Sequence, residues 1–181
     1  EVLITVMRIH QKYFALEDKN NLIQPYFVVV SNMPKQSLRD KNIVFGNEKV
    51  LRARLADAKF HWENDRSKNF SEMLYKLKSV SYFEGLGSLY DKSIRLEQIS
   101  EYISNLLKFK NVNNIKRAAL LCKIDLITGM VGEFPELQGV MGGYYSSKEG
   151  KDIPKLISGH YKPKGSFGDI SKNIGINILS L

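Results

Sequence analysis

The sequence predicts an α+β fold: an N-terminal antiparallel β meander followed by a mainly helical bundle. Three observations carry this. The β-branched and aromatic runs that read as strands lie before residue 46, and the chain after residue 66 reads as helices. Between them, Gly46–Arg66 has no Pro and no Gly after Gly46, and Leu51, Leu55, Ala58 and Trp62 recur at helical spacing as one apolar stripe. Apolar residues make up 43% of the 181, enough for a folded core.

In chain order, Val2–Met7 is β-branched and apolar and predicts a buried strand. His10–Phe14 leads into a second strand ending near Leu16, and the polar cluster Glu17–Asn21 predicts a turn. Tyr26–Ser31 is the third strand, with Pro25 at its start. Asn32–Lys41 reads as a loop with at most one helical turn. The helix over 46–66 joins the β-rich part to the helical one, with Asn47 as its expected cap. Its flank carries Arg52, Lys59 and Arg66 at seven-residue spacing, either a solvated face or one that meets phosphate.

Next, Phe70–Val80 predicts a short helix with Asn69 as cap and Met73, Leu74 and Leu77 inward. The glycines of Tyr82–Gly87 allow a tight bend. Ser88–Phe109 predicts a long helix with Leu89, Leu96, Ile99, Ile103 and Leu106 inward, and Lys92 and Arg95 one turn apart near its start. A helix from Asn113 or Asn114 to about Met130 buries Ile115, Ala118, Ala119, Cys122 and Leu126, and Gly132 stops it. Another spans Pro135–Tyr145, and a further one, capped by Asp152, runs from Pro154 to about Tyr161. The expected organisation is a β-rich part over 1–45, a connecting helix over 46–66 and a helical domain over 67–181.

The formal charge is +8, with a pI of about 9.4. Lys and Arg are spread along the chain rather than gathered in a tail, which suits a folded surface meeting a polyanion such as nucleic acid. One cysteine, Cys122, excludes an internal disulfide framework and fits a reducing cytoplasm. No run of about 18 apolar residues is present to span a bilayer. The chain opens at Glu1 without Met and closes on the apolar run Asn173–Leu181, so it is expected to be an internal piece of a longer protein. Its tail, Ile174–Leu181, is expected to begin a helix packed on its own fold, a symmetry mate or the connecting helix.

Nothing in the spacing of His10, His61 and His160 supports a nucleophile–base set, and no glycine-rich phosphate loop is present. Asp125 lies on the apolar edge of its helix, where a carboxylate needs a partner. It reads either as a structural carboxylate or as a metal ligand, and its neighbours Lys123 and Ile124 do not help bind a cation. His10–Phe14 combines rings, a cation and polar groups, as does a set that stacks on unpaired RNA bases, although alternate strand residues would point into a core. His160–Lys164 reads as a cationic helix end.

Several segments, in order and across nearly the whole chain, resemble the β subunit of the bacterial tetrameric glycyl-tRNA synthetase. They are His10-Gln-Lys-Tyr-Phe14, Phe27-Val-Val-Val-Ser-Asn32, Gly46–Phe60, Leu86-Gly-Ser-Leu-Tyr-Asp-Lys92, Lys123-Ile-Asp-Leu-Ile-Thr128, Met130–Gly142 and His160-Tyr-Lys-Pro163. The resemblance covers an internal portion, without the N-terminal part or the C-terminal anticodon-binding domain. It implies that glycine and ATP, with Mg, are bound by the α subunit, while the β subunit mainly holds tRNA(Gly). It also implies an HD-like character for the helical domain. Hydrolases of that fold bind metal through His and Asp; here Asp125 is the one residual position, and no His stands in Phe83–Gly87 near the first. The expectation is therefore no metal, no phosphohydrolase activity and no catalytic residue in this piece.

The resulting reading is a tRNA-binding and structural portion of a cytoplasmic, ATP-dependent glycine–tRNA ligase. Arg52, Arg54, Lys59, Lys92, Arg95, Lys162 and Lys164 would meet phosphate, and Lys12 and Tyr13 would stack or meet phosphate. The rivals are an HD-type metal-dependent phosphohydrolase and a scaffold that docks the α subunit.

Overall fold

The computed structural model describes residues 2–32, 37–166 and 168–180. The α+β class holds, and the chain forms two compact units, Glu1–Glu63 and Asn64–Leu181.

In the first unit, Val2–Met7 is not a strand. Helix α1 (Val2–Thr5) runs into a π-helical turn, Val6–His10. A strand there would need a partner for its backbone groups, and the sheet of this unit has two strands that pair with each other. As a helix the segment satisfies its own backbone and buries Val6 and Met7. The Tyr13 amide then donates to the Met7 carbonyl at 3.0 Å. Strands β1 (Phe14–Glu17) and β2 (Ile23–Val28) pair antiparallel, Phe14 opposite Val28, with a register shift between Ala15 and Glu17. The polar cluster between them is the predicted turn. The Asp18 carboxylate accepts from the amides of Asn20 and Leu22 at 2.8 and 2.9 Å.

Helix α2 (Ser37–Arg66) starts nine residues before the expected Gly46. The expected loop over 32–41 is therefore helical from Ser37; residues 33–36 lie outside the described residues. A lone glycine costs a helix about 1 kcal/mol, too little to end one. Asn47 is thus an interior residue, not a cap. Its side-chain Nδ2 donates to the Ile43 carbonyl at 2.8 Å, and its Oδ1 accepts from the Tyr13 hydroxyl at 2.6 Å. Leu51 and Leu55 of the predicted stripe pack with Met7, Tyr13, Ala15, Phe27 and Val29 as the core of this unit.

The second unit is helical around one hairpin. Helix α3 (Phe70–Lys76) is capped as expected, the Asn69 side chain accepting from the Ser71 amide at 2.8 Å, and a 3-10 turn, Leu77–Ser79, follows. The glycine-rich bend is a hairpin of β3 (Ser81–Phe83) and β4 (Gly87–Ser88), with Gly85 and Gly87 both at φ 77°. Helix α4 (Leu89–Leu106) buries Leu89, Ser93, Ser100 and Ser104, while Ile99 and Leu106 of the expected stripe are exposed. Positions 89, 93, 96, 100 and 104 keep the helical period; 99 and 106 drift off it.

Helix α5 (Val112–Leu121) stops at Leu121 rather than Met130, and Asn111 precedes it. The chain continues as a 3-10 turn, Ile124–Ile127, then α6 (Gly129–Glu133). Thr128 ends the predicted helix by capping the next, its hydroxyl accepting from the Val131 amide at 3.3 Å. Gly132 accordingly lies inside a helix instead of stopping one. The expected helix 135–145 is also broken, into a 3-10 turn Pro135–Leu137 and α7 (Val140–Tyr145), at Gly139 with φ 78°. A Cβ on Gly139 would stand 2.8 Å from the Tyr161 ring. Helix α8 (Ile153–Gly159) follows Asp152, whose side chain does not cap it. The tail is helix α9 (Ile174–Ser180), as expected, packed on its own fold with Ile178 and Leu179 in the core beside Ile115, Leu156 and Ile157.

One buried carboxylate joins the end of α2 to this core. Asp65 accepts from the Gly129 and Met130 amides at 3.1 and 2.9 Å, from the Tyr145 hydroxyl at 3.1 Å and from the Lys68 ammonium at 2.6 Å. Burial raises its pKa, but the Lys68 bond and the two amides outweigh burial, and the carboxyl ends below its ordinary value. A depressed carboxylate stabilises the fold above its unfolded pKa and loses that contribution as pH falls through the folded one. Asp65→Ala is expected to cost about 3 kcal/mol or more in urea denaturation at pH 7, because two buried donors, the Met130 amide and the Tyr145 hydroxyl, and two part-buried ones lose their acceptor. The loss should shrink as the pH approaches 3.

Candidate nucleic-acid interface

The hairpin and the first turns of α4 form the best-defined cationic cluster. Ser88 and Asp91 make a capping box that fixes the helix start. The Asp91 amide donates to the Ser88 hydroxyl at 3.2 Å, and the Asp91 carboxylate accepts from the Ser88 amide at 2.8 Å. Those bonds to Ser88 lower the Asp91 pKa, with Arg95 and Lys78 adding to the effect. From this fixed start, Lys92 reaches back to the hairpin. Its ammonium donates to the Tyr82 hydroxyl at 2.7 Å and lies 3.9 Å from the centre of the Tyr82 ring. Arg95 donates to the Leu86 carbonyl at 2.9 Å. Lys78 lies 4.8 Å from the rings of both Tyr75 and Tyr90. The hydrogen bond and charge of Lys92, joined by Lys123 and Arg95, lower the Tyr82 pKa.

Deeper in the same unit, Lys123 is buried. Its ammonium is 2.8 Å from Nε2 of His160 and 4.0 Å from the centre of the Tyr161 ring. His160 Nδ1 faces the Ile157 carbonyl at 2.5 Å. A carbonyl only accepts, so Nδ1 carries the proton and Nε2 accepts from Lys123. Burial first, then the Lys123 charge, pushes the His160 pKa down to about 3, so the ring is neutral. Burial pushes the Cys122 thiol up to about 12, which leaves no thiolate nucleophile at neutral pH.

Asp125 is 0% exposed. One oxygen accepts from the Gly139 and Gly142 amides at 2.7 and 3.0 Å; the other has no hydrogen-bond partner among the described residues. A Cβ on Gly142 would stand 3.1 Å from that carboxylate, so the glycine permits the approach. Asp125 therefore holds the 139–142 turn. Among the described residues no three His, Cys, Asp or Glu side chains converge as metal ligands.

The other nominated residues sit as follows. Lys12 is exposed at φ 56°. Tyr13 is 5% exposed and stacked on Phe27 at 5.1 Å, so it is a core ring and offers no open face to a base. Arg52 is exposed, Arg54 half-buried, and Lys59 pairs with Glu63 at 3.9 Å, both well exposed. Such a pair contributes little stability and leaves the ammonium accessible. Lys162 and Lys164 are exposed on the segment after α8. The fold thus brings Lys92 and Arg95 together and adds Lys78, Tyr82 and Lys123, which were not nominated. A signal for Tyr82 and Phe83 was present, two rings beside a glycine turn, but it indicates a bend before it indicates a surface.

A family model described as the glycyl-tRNA synthetase beta subunit matches residues 1–181. The chain belongs to the glycyl-tRNA synthetase beta subunit family. Relatives bearing the name glycine–tRNA ligase beta subunit include that of Thermodesulfovibrio yellowstonii, 45% identical over all of this chain and 27% of its own length. Those of Rickettsia prowazekii and Pediococcus pentosaceus are 48% and 40% identical, covering 91% and 100% of this chain and 24% and 26% of theirs. The chain spans about a quarter of the length of these curated relatives. No helix of the described residues is long and apolar enough to cross a membrane.

Burial raises the Asp125 pKa to about 6 against the partial relief from the two glycine amides. A carboxyl raised in the fold stabilises fully below its unfolded pKa, and that contribution is lost as pH rises through 6. Asp125→Asn keeps one acceptor for the amides and cannot ionise. The variant should gain about 2 kcal/mol on the wild type between pH 4.5 and 7.5, from the size of the shift. The His160 contribution is common to both proteins and cancels. Denaturation curves that stay parallel across this range would contradict the assignment.

Proposed function

We propose that this chain is a tRNA-holding and structural portion of the β subunit of glycine–tRNA ligase. The whole enzyme, of two α and two β subunits in the bacterial cytoplasm, attaches glycine to tRNA(Gly) at the expense of ATP. On this reading ATP and Mg sit on the α subunit, and no bond is made or broken in this piece. Family membership supports the ligase; the observation that carries the RNA-holding role is the pair Lys92 and Arg95 on a rigidly capped helix start, bonded to its hairpin, with Lys78 beside Tyr90 of the same helix. Asp91, beside them, already serves as a cap. Phosphates would replace counterions at these cations, which makes affinity steeply salt-dependent. Arg52, Arg54 and Lys59 on α2, with Lys12, Lys162 and Lys164, would add phosphate contacts.

Filter binding of tRNA(Gly) to the assembled enzyme in rising salt tests this. The logarithm of affinity should fall linearly with the logarithm of salt concentration. Lys92→Ala or Arg95→Ala should weaken binding several-fold and reduce that slope by about 1 each. Binding that ignores salt, or slopes untouched by either change and by charge reversal at Arg52 and Lys59, would contradict the role.

A further inference from the structure

We propose that the 81–88 hairpin is a stacking site for unpaired nucleotides of the bound RNA. This deepens the RNA-holding reading and rests on it. Phe83 is 66% exposed, Tyr82 is 40% exposed and Tyr75, beside the same cluster, is 68% exposed. Other rings of the chain are as exposed; what sets these apart is their company, Tyr82 and Phe83 being neighbours on one strand with Lys92 over Tyr82, and Tyr75 sharing Lys78 with Tyr90. Here they are held rather than loose. Phe83 pairs across the hairpin with Gly87, the Leu86 amide donates to the Phe83 carbonyl at 3.0 Å, and the Leu89 amide donates to the Val80 carbonyl at 2.8 Å. Gly87 cannot be replaced cheaply: it sits at φ 77°, and a Cβ there would come within 2.5 Å of the Asp91 carboxylate. The turn that carries the rings is thus locked to the helix that carries the cations.

The chemistry of the occupant follows from the pairing of rings with cations. Lys92 lies over Tyr82, Lys78 lies between Tyr75 and Tyr90, and Arg95 is bonded to the hairpin backbone. Flat apolar faces alternating with ammonium and guanidinium groups fit a ligand that is itself flat faces alternating with phosphates. A duplex offers its phosphates but keeps its base faces covered, so the cations alone would engage it. An unpaired segment can use both. The acid Glu84 stands at the turn, so the anionic backbone belongs on the Lys92 and Arg95 side.

The test uses the assembled α/β enzyme with Phe83→Ala, Tyr82→Ala and the conservative Phe83→Trp and Tyr82→Phe. Each variant is first checked for an unchanged melting temperature and an unchanged subunit composition. Loss of a stacked base costs about 1–3 kcal/mol, so each alanine variant should bind tRNA(Gly) roughly 5- to 150-fold more weakly. The salt slope should stay that of the wild type, a blunt RNA duplex should bind equally to all variants, and the conservative variants should restore tRNA affinity. Wild-type binding with its steep salt slope, but no loss in either alanine variant, would overturn the stacking site and leave the RNA-holding reading standing. A wild-type enzyme that binds tRNA without salt dependence would overturn both. Alanine variants that lose the α subunit would also overturn it, marking the rings as a protein contact instead.

Discussion

The helical unit depends on the buried carboxylate of Asp65. Four donors from three separate stretches meet there: Lys68, the amides that open α6, and the hydroxyl of Tyr145 at the end of α7. A buried carboxylate is costly unless its lone pairs are filled, and at Asp65 donors from distant parts of the chain fill them. Burial, with the Asp65 charge, drives the Tyr145 pKa upward, so the hydroxyl keeps the proton it donates. The segment 128–145 is thereby fixed at both ends, and Asp125 ties down its middle through Gly139 and Gly142. The same segment approaches Tyr161, the ring over which Lys123 lies.

Charge is sorted by depth in this unit. Carboxylates do the internal tying: Asp65 and Asp125 are buried and Asp91 caps a helix. Cations mostly stay outside, and Lys123, the buried one, is compensated by a neutral His160 acceptor and the Tyr161 ring. The chain as a whole carries +8, and a net positive surface can act on a polyanion. Around the hairpin positive charge is combined with exposed rings, which gives the field a shape and not only a sign.

Much of this was legible. The stripe Leu51 and Leu55, the cap Asn69, the bend at 82–87 and the apolar tail are local patterns, and local patterns survive folding. Asp125 was readable as a carboxylate needing a partner, but its partners are glycine amides fourteen and seventeen residues away. Asn47 is no cap because the helix runs through Gly46 from Ser37, and its side chain instead meets Tyr13, thirty-four residues away. Val2–Met7 failed for another reason: a short apolar run carries no signal that separates a buried strand from a buried helix turn. Phe83 and Tyr82 were visible as residues, but exposure is a property of the packed chain, and composition treats an aromatic as core until the fold says otherwise.

Hydrogen–deuterium exchange of the assembled α/β enzyme, with and without tRNA(Gly), tests the central claim most directly. If a capped helix start and its hairpin grip RNA, amides in residues 81–95 should slow on tRNA binding, while the already protected core around Asp65 and Asp125 should not change. Slowed exchange elsewhere in the β subunit, with 81–95 exchanging as in the free enzyme, would contradict it.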